Sequence, residues 1–346
     1  MNGVRTERAL VTGAAGFIGS HVAEHCLELG FETVAVDDLS GGFRENVPAD
    51  AVWEEGDVRD AGFVRGVFER HAPIDYVYHL AAYAAEGLSH FVRAYNYRTN
   101  LEATVNLVNE AVRGQAKRFV FASSIAVYGA GQVPMHESLE PRPEDPYGIS
   151  KYAAELDLAA AAEMFGLRYT VFRPHNVYGE RQNVADPYRN VVGIFMSAGL
   201  RGESMPVFGD GSQTRAFSHI GDVAPVIARS VGIDGTVNET FNIGADTPVS
   251  VARLAELVAE ALGVPHRVEH LPERREVAHA FADHSKVRAI FGLGEPLGLE
   301  EGLTRMAAWV RETGLRDPVG FPGEFEIREN MPPSWDPGRP SGERRG

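Results

Sequence analysis

In the first half of the chain, short continuous apolar runs alternate with longer stretches in which apolar residues recur every three or four positions. The runs at Arg8–Thr12, Thr33–Asp37, Ala51–Trp53, Tyr76–Leu80, Arg118–Ala122 and Arg168–Phe172 read as buried strands, because a strand covered on both faces has no polar side to show. Between the first two, Phe17 to Leu29 has helical spacing and stops at Gly30, a residue suited to a helix end. Strands that alternate with helices in this way predict an α/β fold with a doubly wound, mostly parallel sheet. Its ligand crevice should lie at the carboxyl ends of the strands.

Beyond Gly179 the pattern loosens. Segments punctuated by glycine and proline carry shorter helices at about Val191–Leu200, Val249–Leu262 and Leu299–Thr313. The expected organisation is a cofactor domain over residues 1–179, to which some later segments return, and a smaller α/β substrate domain over 180–320. From Phe321 the chain is rich in proline, glycine and charge without periodicity, which predicts a loosely attached tail over 321–346.

With 346 residues the chain can bury a substantial core, and a net charge of −15 with no basic stretch argues against nucleic acid or an anionic membrane surface as partner. An anionic ligand therefore needs locally placed arginines. A single cysteine, Cys26, cannot form an internal disulfide and there is no metal-type cysteine spacing, so no metal is assigned. No stretch reaches the ~18 apolar residues of a membrane span. Together these predict a cytoplasmic protein.

Candidate chemistry sits where the strands end. Gly13, Gly16 and Gly19 form a G-x-x-G-x-x-G turn between a strand and a helix, a context in which glycines let the backbone approach a dinucleotide diphosphate and the helix N-terminus receives the anion. Asp37 and Asp38 close the second strand, 18 residues past Gly19, where a carboxylate accepts ribose hydroxyls and repels a 2′-phosphate. That favours NAD over NADP, although Arg44 lies nearby after a Gly-Gly turn. Asp57 and Val58 follow the third strand and are placed to meet an adenine.

Tyr147 and Lys151 stand four apart at the start of a helix and share a face. The lysine ammonium and the nicotinium charge both favour phenolate, so the tyrosine suits a general base, with Ser124 able to bind the same hydroxyl. His79 reads as a packed side chain, whereas His175 is expected to reach cofactor or substrate.

The chain resembles the extended short-chain dehydrogenase/reductase family, and within it the nucleotide-sugar epimerases and dehydratases, most closely the 4-epimerases. The resemblance is carried by Gly13–Ser20 (including Phe17 and Ile18), Asp37-Asp38, His79–Ala82, Asn100, Ser123–Gly129, Pro146–Lys151, Arg173–Gly179 and Phe208–Arg215. It implies a Rossmann-type fold and a tightly held NAD that is reduced and reoxidised within each turnover. It adds Phe17, Ile18, Leu80, Ala81, Ala82, Asn100, Tyr147, Lys151 and His175 as cofactor contacts. Substrate contacts are Ser124, Asn176 and Arg215, with Arg274 or Arg275 as a further phosphate anchor.

A UDP-sugar, either UDP-glucose/galactose or a UDP-N-acetylhexosamine, is the implied substrate, and a homodimer formed through the helices at Asn100–Val112 and Lys151–Phe165 is the implied assembly. Members that eliminate water carry a Thr-Asp-Glu run where this chain has Ser124-Ile125-Ala126; decarboxylases keep a glutamate at the position of Ala126; 3,5-epimerases need a catalytic cysteine. All three are missing here. The remaining alternatives are a UDP-glucuronate 4-epimerase, a dehydratase or net oxidoreductase, and a non-catalytic dinucleotide sensor. The chain departs from the family at Ala84, often lysine, and at Glu86, which brings an acid near the expected sugar. That acid weighs against a uronic acid, whose carboxylate is repelled unless an arginine such as Arg189 pairs with it. Ala280, where some relatives have a larger residue, suggests room for a 2-acetamido group.

Overall fold

The protein is described here from a computed structural model covering residues 5–273, 277–316 and 321–335. Its first half lays down β1 (Arg8–Thr12), α1 (Phe17–Glu28), β2 (Glu32–Asp37), β3 (Val52–Glu55), α2 (Ala61–Arg70), β4 (Tyr76–His79), α3 (Arg93–Tyr97), α4 (Ala103–Arg113), β5 (Arg118–Ala122), α5 (Pro146–Phe165), β6 (Tyr169–Pro174) and β7 (Val177–Tyr178). The second half continues with α6 (Val191–Arg201), β8 (Met205–Phe208), β9 (Thr214–Ala216), β10 (Ser218–His219), α7 (Ile220–Arg229), β11 (Glu239–Ile243), β12 (Pro248–Ser250), α8 (Val251–Leu262), β13 (Val268–Leu271), β14 (His279–Ala280), α9 (Ser285–Phe291) and α10 (Leu299–Thr313).

Seven strands form one parallel sheet in the order β11-β6-β5-β4-β1-β2-β3. The chain order reverses between β1 and β4, and that switch point opens the crevice at the strand ends. Central strands are buried throughout, as their unbroken apolar runs require. One face is covered by α1, α7 and α9, through Val22, Ala23, Val223, Ile227 and Phe291. The other is covered by α2, α4 and α5, through Val67, Leu107 and Leu158. A separate apolar cluster joins α6, α8 and α10 through Phe195, Leu254, Val258 and Met306.

From the later half, β11 forms the edge of the central sheet and α7 packs on α1. The tail needs a correction. Residues 321–335 are packed, with Met331 and Trp335 buried in a cluster with Tyr83, Ala85, Leu88 and Val92, and Phe321 and Phe325 against it. Widely spaced aromatics supply this burial without the period of a helix or strand, so the sequence pattern gives no sign of it.

Candidate functional site

Local geometry at the end of β1 leaves little choice of residue. Gly13 has φ +70°, and a Cβ there would sit 2.7 Å from Ala81 N; at Gly19 a Cβ would stand 2.0 Å from Gly13 O. Gly42 brings a second loop in, since its Cβ would meet the Ala15 carbonyl carbon at 2.4 Å. Helix α1 begins at Gly16 with no side-chain cap, so its first N–H groups point to the cavity for an anion to accept.

The crevice is a single elongated cavity of about 1190 Å³. That exceeds the range usual for one small ligand and suits a dinucleotide with a second molecule beside it. Gly13, Gly16, Phe17, Ile18, Gly19, Asp37, Asp57, Val58, Leu80, Ala81 and Ala82 border one end; Glu86, Ser124, Tyr147, Lys151, His175, Asn176, Arg189 and Arg215 border the remainder.

Asp37 is nearly buried. Its carboxylate accepts Ala15 N at 3.0 Å and Leu39 N at 2.8 Å; burial pushes its pKa up and these two N–H groups oppose that rise. Asp57 is ion-paired to Arg59 at 2.7 Å, and Arg59 also lies 3.9 Å from Asp38. Arg59 is a cavity residue that the sequence reading overlooked. Arg44 is stacked 4.7 Å from the Trp53 ring and is not among the residues that border the cavity.

Pro146 occupies the first turn of α5 and Asp145 caps it, its Oδ1 accepting Gly148 N at 2.9 Å. This fixes Tyr147 at the mouth of the helix and Lys151 one turn on. Lys151 Nζ donates to Ala122 O at 2.8 Å and lies 5.9 Å from the Tyr147 ring. Burial pushes Lys151 down to about 7, with Glu155 opposing. Burial also pushes the Tyr147 phenol well above the usual range, and the hydrogen bond with Ser124 pulls it back. In the chain by itself, enclosure of the phenol is the largest influence on Tyr147, and the Lys151 ammonium is turned towards a backbone carbonyl.

Asn100 is fully buried and is not among the residues that border the cavity. Its Oδ1 accepts Tyr83 N at 2.8 Å and its Nδ2 donates to Asn96 Oδ1 at 2.8 Å, while Asn96 Nδ2 donates to Pro146 O at 2.8 Å. Every group on this amide holds backbone or its neighbour, which locks the turn carrying Tyr147. His79 bridges Thr12 and Thr104, as expected of a packed histidine.

His175 borders the cavity, yet its ring is committed inward, with Nδ1 donating to Ala216 O at 3.0 Å and Nε2 3.0 Å from His284 Nε2; burial pushes it down to about 3. Asn176 has φ +41° and donates from Nδ2 to Ala216 O at 3.1 Å. Arg215 is held by the carbonyls of Thr214, Ala278 and Val277, and Ala280 lies beside it in strand register. Arg189 pairs with Asp186 at 2.6 Å and stacks on Tyr83 at 5.1 Å. Arg274 and Arg275 lie outside the described residues.

Among the described residues no group of side chains is arranged to hold a metal ion, and no helix is long and apolar enough to cross a membrane. The sequence reading also missed Gly41, Gly42 and Asn46 in the second loop, for which the Gly-Gly pair was an available sign, and Ile327, Glu329, Asn330 and Trp335, for which there was none.

Residues 9–244 match the model of the NAD dependent epimerase/dehydratase family. A putative UDP-glucose 4-epimerase of Methanocaldococcus jannaschii is 31% identical over 305 residues, which span 87% of this chain and 98% of that protein. The solved UDP-glucose 4-epimerase of Thermotoga maritima with UDP-glucose superposes with a TM-score of 0.84 at 35% identity, covering 88% of this chain and 99% of its own. The Thermus thermophilus UDP-glucose 4-epimerase complexed with NAD gives a TM-score of 0.82 at 31% identity, over 88% and 99% of the two chains.

Proposed function

The chain belongs to the NAD dependent epimerase/dehydratase family, and we propose that within it the protein is a 4-epimerase of a UDP-sugar, either UDP-glucose/galactose or a UDP-N-acetylhexosamine. The observation that carries this reading is the placement of Tyr147, Lys151 and Ser124 on the same cavity as the glycine cradle, with apolar Ile125 and Ala126 where an eliminating enzyme needs an acid and a base.

The cradle fits NAD: three close backbone approaches that exclude a Cβ, an uncapped helix N-terminus, and Asp37 with Asp38 at the end of β2. When bound, NAD supplies the acceptor and donor of hydride and a positive charge. The rest falls to the chain. Tyr147, as the phenolate, would take the proton of the sugar 4-hydroxyl and later return it. Burial raises its pKa in the chain by itself, so the positive charge that NAD brings when bound is what would favour the phenolate, and Lys151, on the same helix face, would hold the nicotinamide ribose. Ser124, already bonded to the phenol, steadies the same oxygen. Asn176 and Arg215 lie where a diphosphate would pass and bind it by charge-assisted bonds. Ala280 beside Arg215 leaves space for a 2-acetamido group.

Exposed Ile149, Leu156, Met164 and Phe165 along α5 support a homodimer through that helix, and the free, buried Cys26 suits a reducing cytoplasm. Light scattering should give twice the chain mass.

The reaction is tested by NMR of UDP-glucose, UDP-N-acetylglucosamine and UDP-glucuronate, each incubated with purified protein and no added NAD. A C4 epimer of one of the first two is expected, and Tyr147→Phe should slow its formation by about 10³-fold, within the range for loss of a general base. A keto sugar or elimination product in place of an epimer would overturn the reading.

A further inference from the structure

Behind the cavity wall, four segments converge on a pair of buried histidines. His175 follows β6, His284 immediately precedes α9, Asp246 lies just past β11, and Ala216 ends β9. The two imidazoles are 3% and 1% exposed. A Cβ at Gly244, φ +152°, would stand 2.7 Å from His175 Nε2, so the end of β11 closes directly over the pair.

The contacts fix where the protons are. A carbonyl only accepts, so His175 Nδ1 donates to Ala216 O at 3.0 Å, which leaves its Nε2 as an acceptor. His284 Nε2 therefore donates across the 3.0 Å to His175 Nε2. At its other nitrogen, His284 faces Asp246 Oδ1 at 2.6 Å, and Asp246 is also paired with Arg288, so it is a carboxylate that only accepts. His284 thus needs a proton on both nitrogens. With one proton fewer, two lone pairs would oppose each other at one of these three contacts.

The extra proton belongs to His284, since burial pushes His175 down to about 3 and keeps it neutral. Burial pushes the pKa of His284 down as well, and Asp246 opposes that fall; Arg288 and Asp283 are the other charges that face it.

We propose that His284 is a positioning residue, an imidazolium that presses His175 against Ala216 and so sets Arg215 and Asn176 to receive the diphosphate of the nucleotide sugar. The Ala216 carbonyl joins the two, because it also accepts Asn176 Nδ2 at 3.1 Å and directly follows Arg215 in β9. Loss of the shared proton frees this carbonyl from one of its donors and loosens the strand that carries the arginine. The proposal rests on the reading of the cavity as that of a UDP-sugar epimerase.

Nitrogen-15 NMR of the imidazoles in the full-length wild type tests the proton count. At pH 6 His284 should show two protonated nitrogens and His175 one, at Nδ1. His284→Gln should raise KM for UDP-glucose about tenfold at that pH, the scale of one lost charge-assisted hydrogen bond, with a much smaller change in kcat. In the wild type KM should rise between pH 6 and pH 9 as the pair gives up its proton, and His284→Gln should lack that part of the rise; Lys151 titrates in both proteins and cancels in the comparison. Asp246→Asn, at a site 40% exposed, should move the rise to lower pH by about one unit. Without ligand, amide exchange over residues 214–218 should be about tenfold faster in His284→Gln than in the wild type. A singly protonated His284 at pH 6, or one pH profile of KM shared by wild type and variants, overturns the proposal. If the wild type turns over no UDP-sugar while the NMR and the exchange behave as stated, the epimerase reading fails and the hold of His284 on β9 stands.

Discussion

The two ends of the cavity are made differently. At the cofactor end, Gly13, Gly16, Gly19 and Gly42 build the wall from backbone, and all but the last come from one turn. Around Tyr147 the same cavity is bordered by side chains from Glu86, Tyr147, Arg215, Ala280 and Trp335, which are far apart in the chain. A backbone wall tolerates almost no change, because any added atom collides with main chain that cannot move aside. A side-chain wall can be retuned one residue at a time, so fold and cofactor hold while the sugar varies.

Breaking the rigid end should have the larger effect. In Gly19→Val the new side chain starts 2.0 Å from Gly13 O, so NAD affinity should fall by more than about 100-fold, the cost of several kcal/mol of backbone displacement. Loss of NAD from the purified variant, read by absorbance after denaturation, checks it. Full NAD retention would show that the cradle yields.

At the adaptable end, Arg215→Ala should raise KM for the UDP-sugar about tenfold and leave NAD content as it was, the scale of one charge-assisted hydrogen bond. A fall in NAD content would mean that the two ends are coupled.

Lys151 sits at the seam and gives the smallest signal. An unfolded lysine holds its proton to about 10.5 while burial pushes the folded one down to about 7. Between those values the unfolded state binds more protons, so stability rises with pH across the window. Lys151→Met should lose that rise, by at most one proton's worth of slope in denaturant melts taken from pH 7 to pH 10.

What the sequence discloses follows the same division. The parallel sheet and the glycine turn are legible because each is written in adjacent residues, as apolar runs or fixed spacing. The sequence does not disclose that the Asn100 amide holds Tyr83 and Asn96, because those partners are set by folding. The lysine–tyrosine proximity is readable from their four-residue spacing, but the direction of the tyrosine shift depends on enclosure by elements distant in sequence. Arg59 and the packed segment 321–335 escape detection for a related reason: each has partners brought near only by folding, such as Asp57 and Asp38 for Arg59, and Phe91 and Tyr83 for the segment.

The central claim is that Tyr147 exchanges only an O–H proton while the hydrogen on C4 is lifted and returned within one closed cavity. Running the UDP-glucose reaction in D2O and reading the epimer by NMR and mass tests this most directly. The account predicts an epimer with no carbon-bound deuterium at C4, C5 or C6; deuterium at C5 or C6 would signal enolisation or elimination, and deuterium at C4 would show that the hydrogen had escaped to solvent, either of which contradicts it.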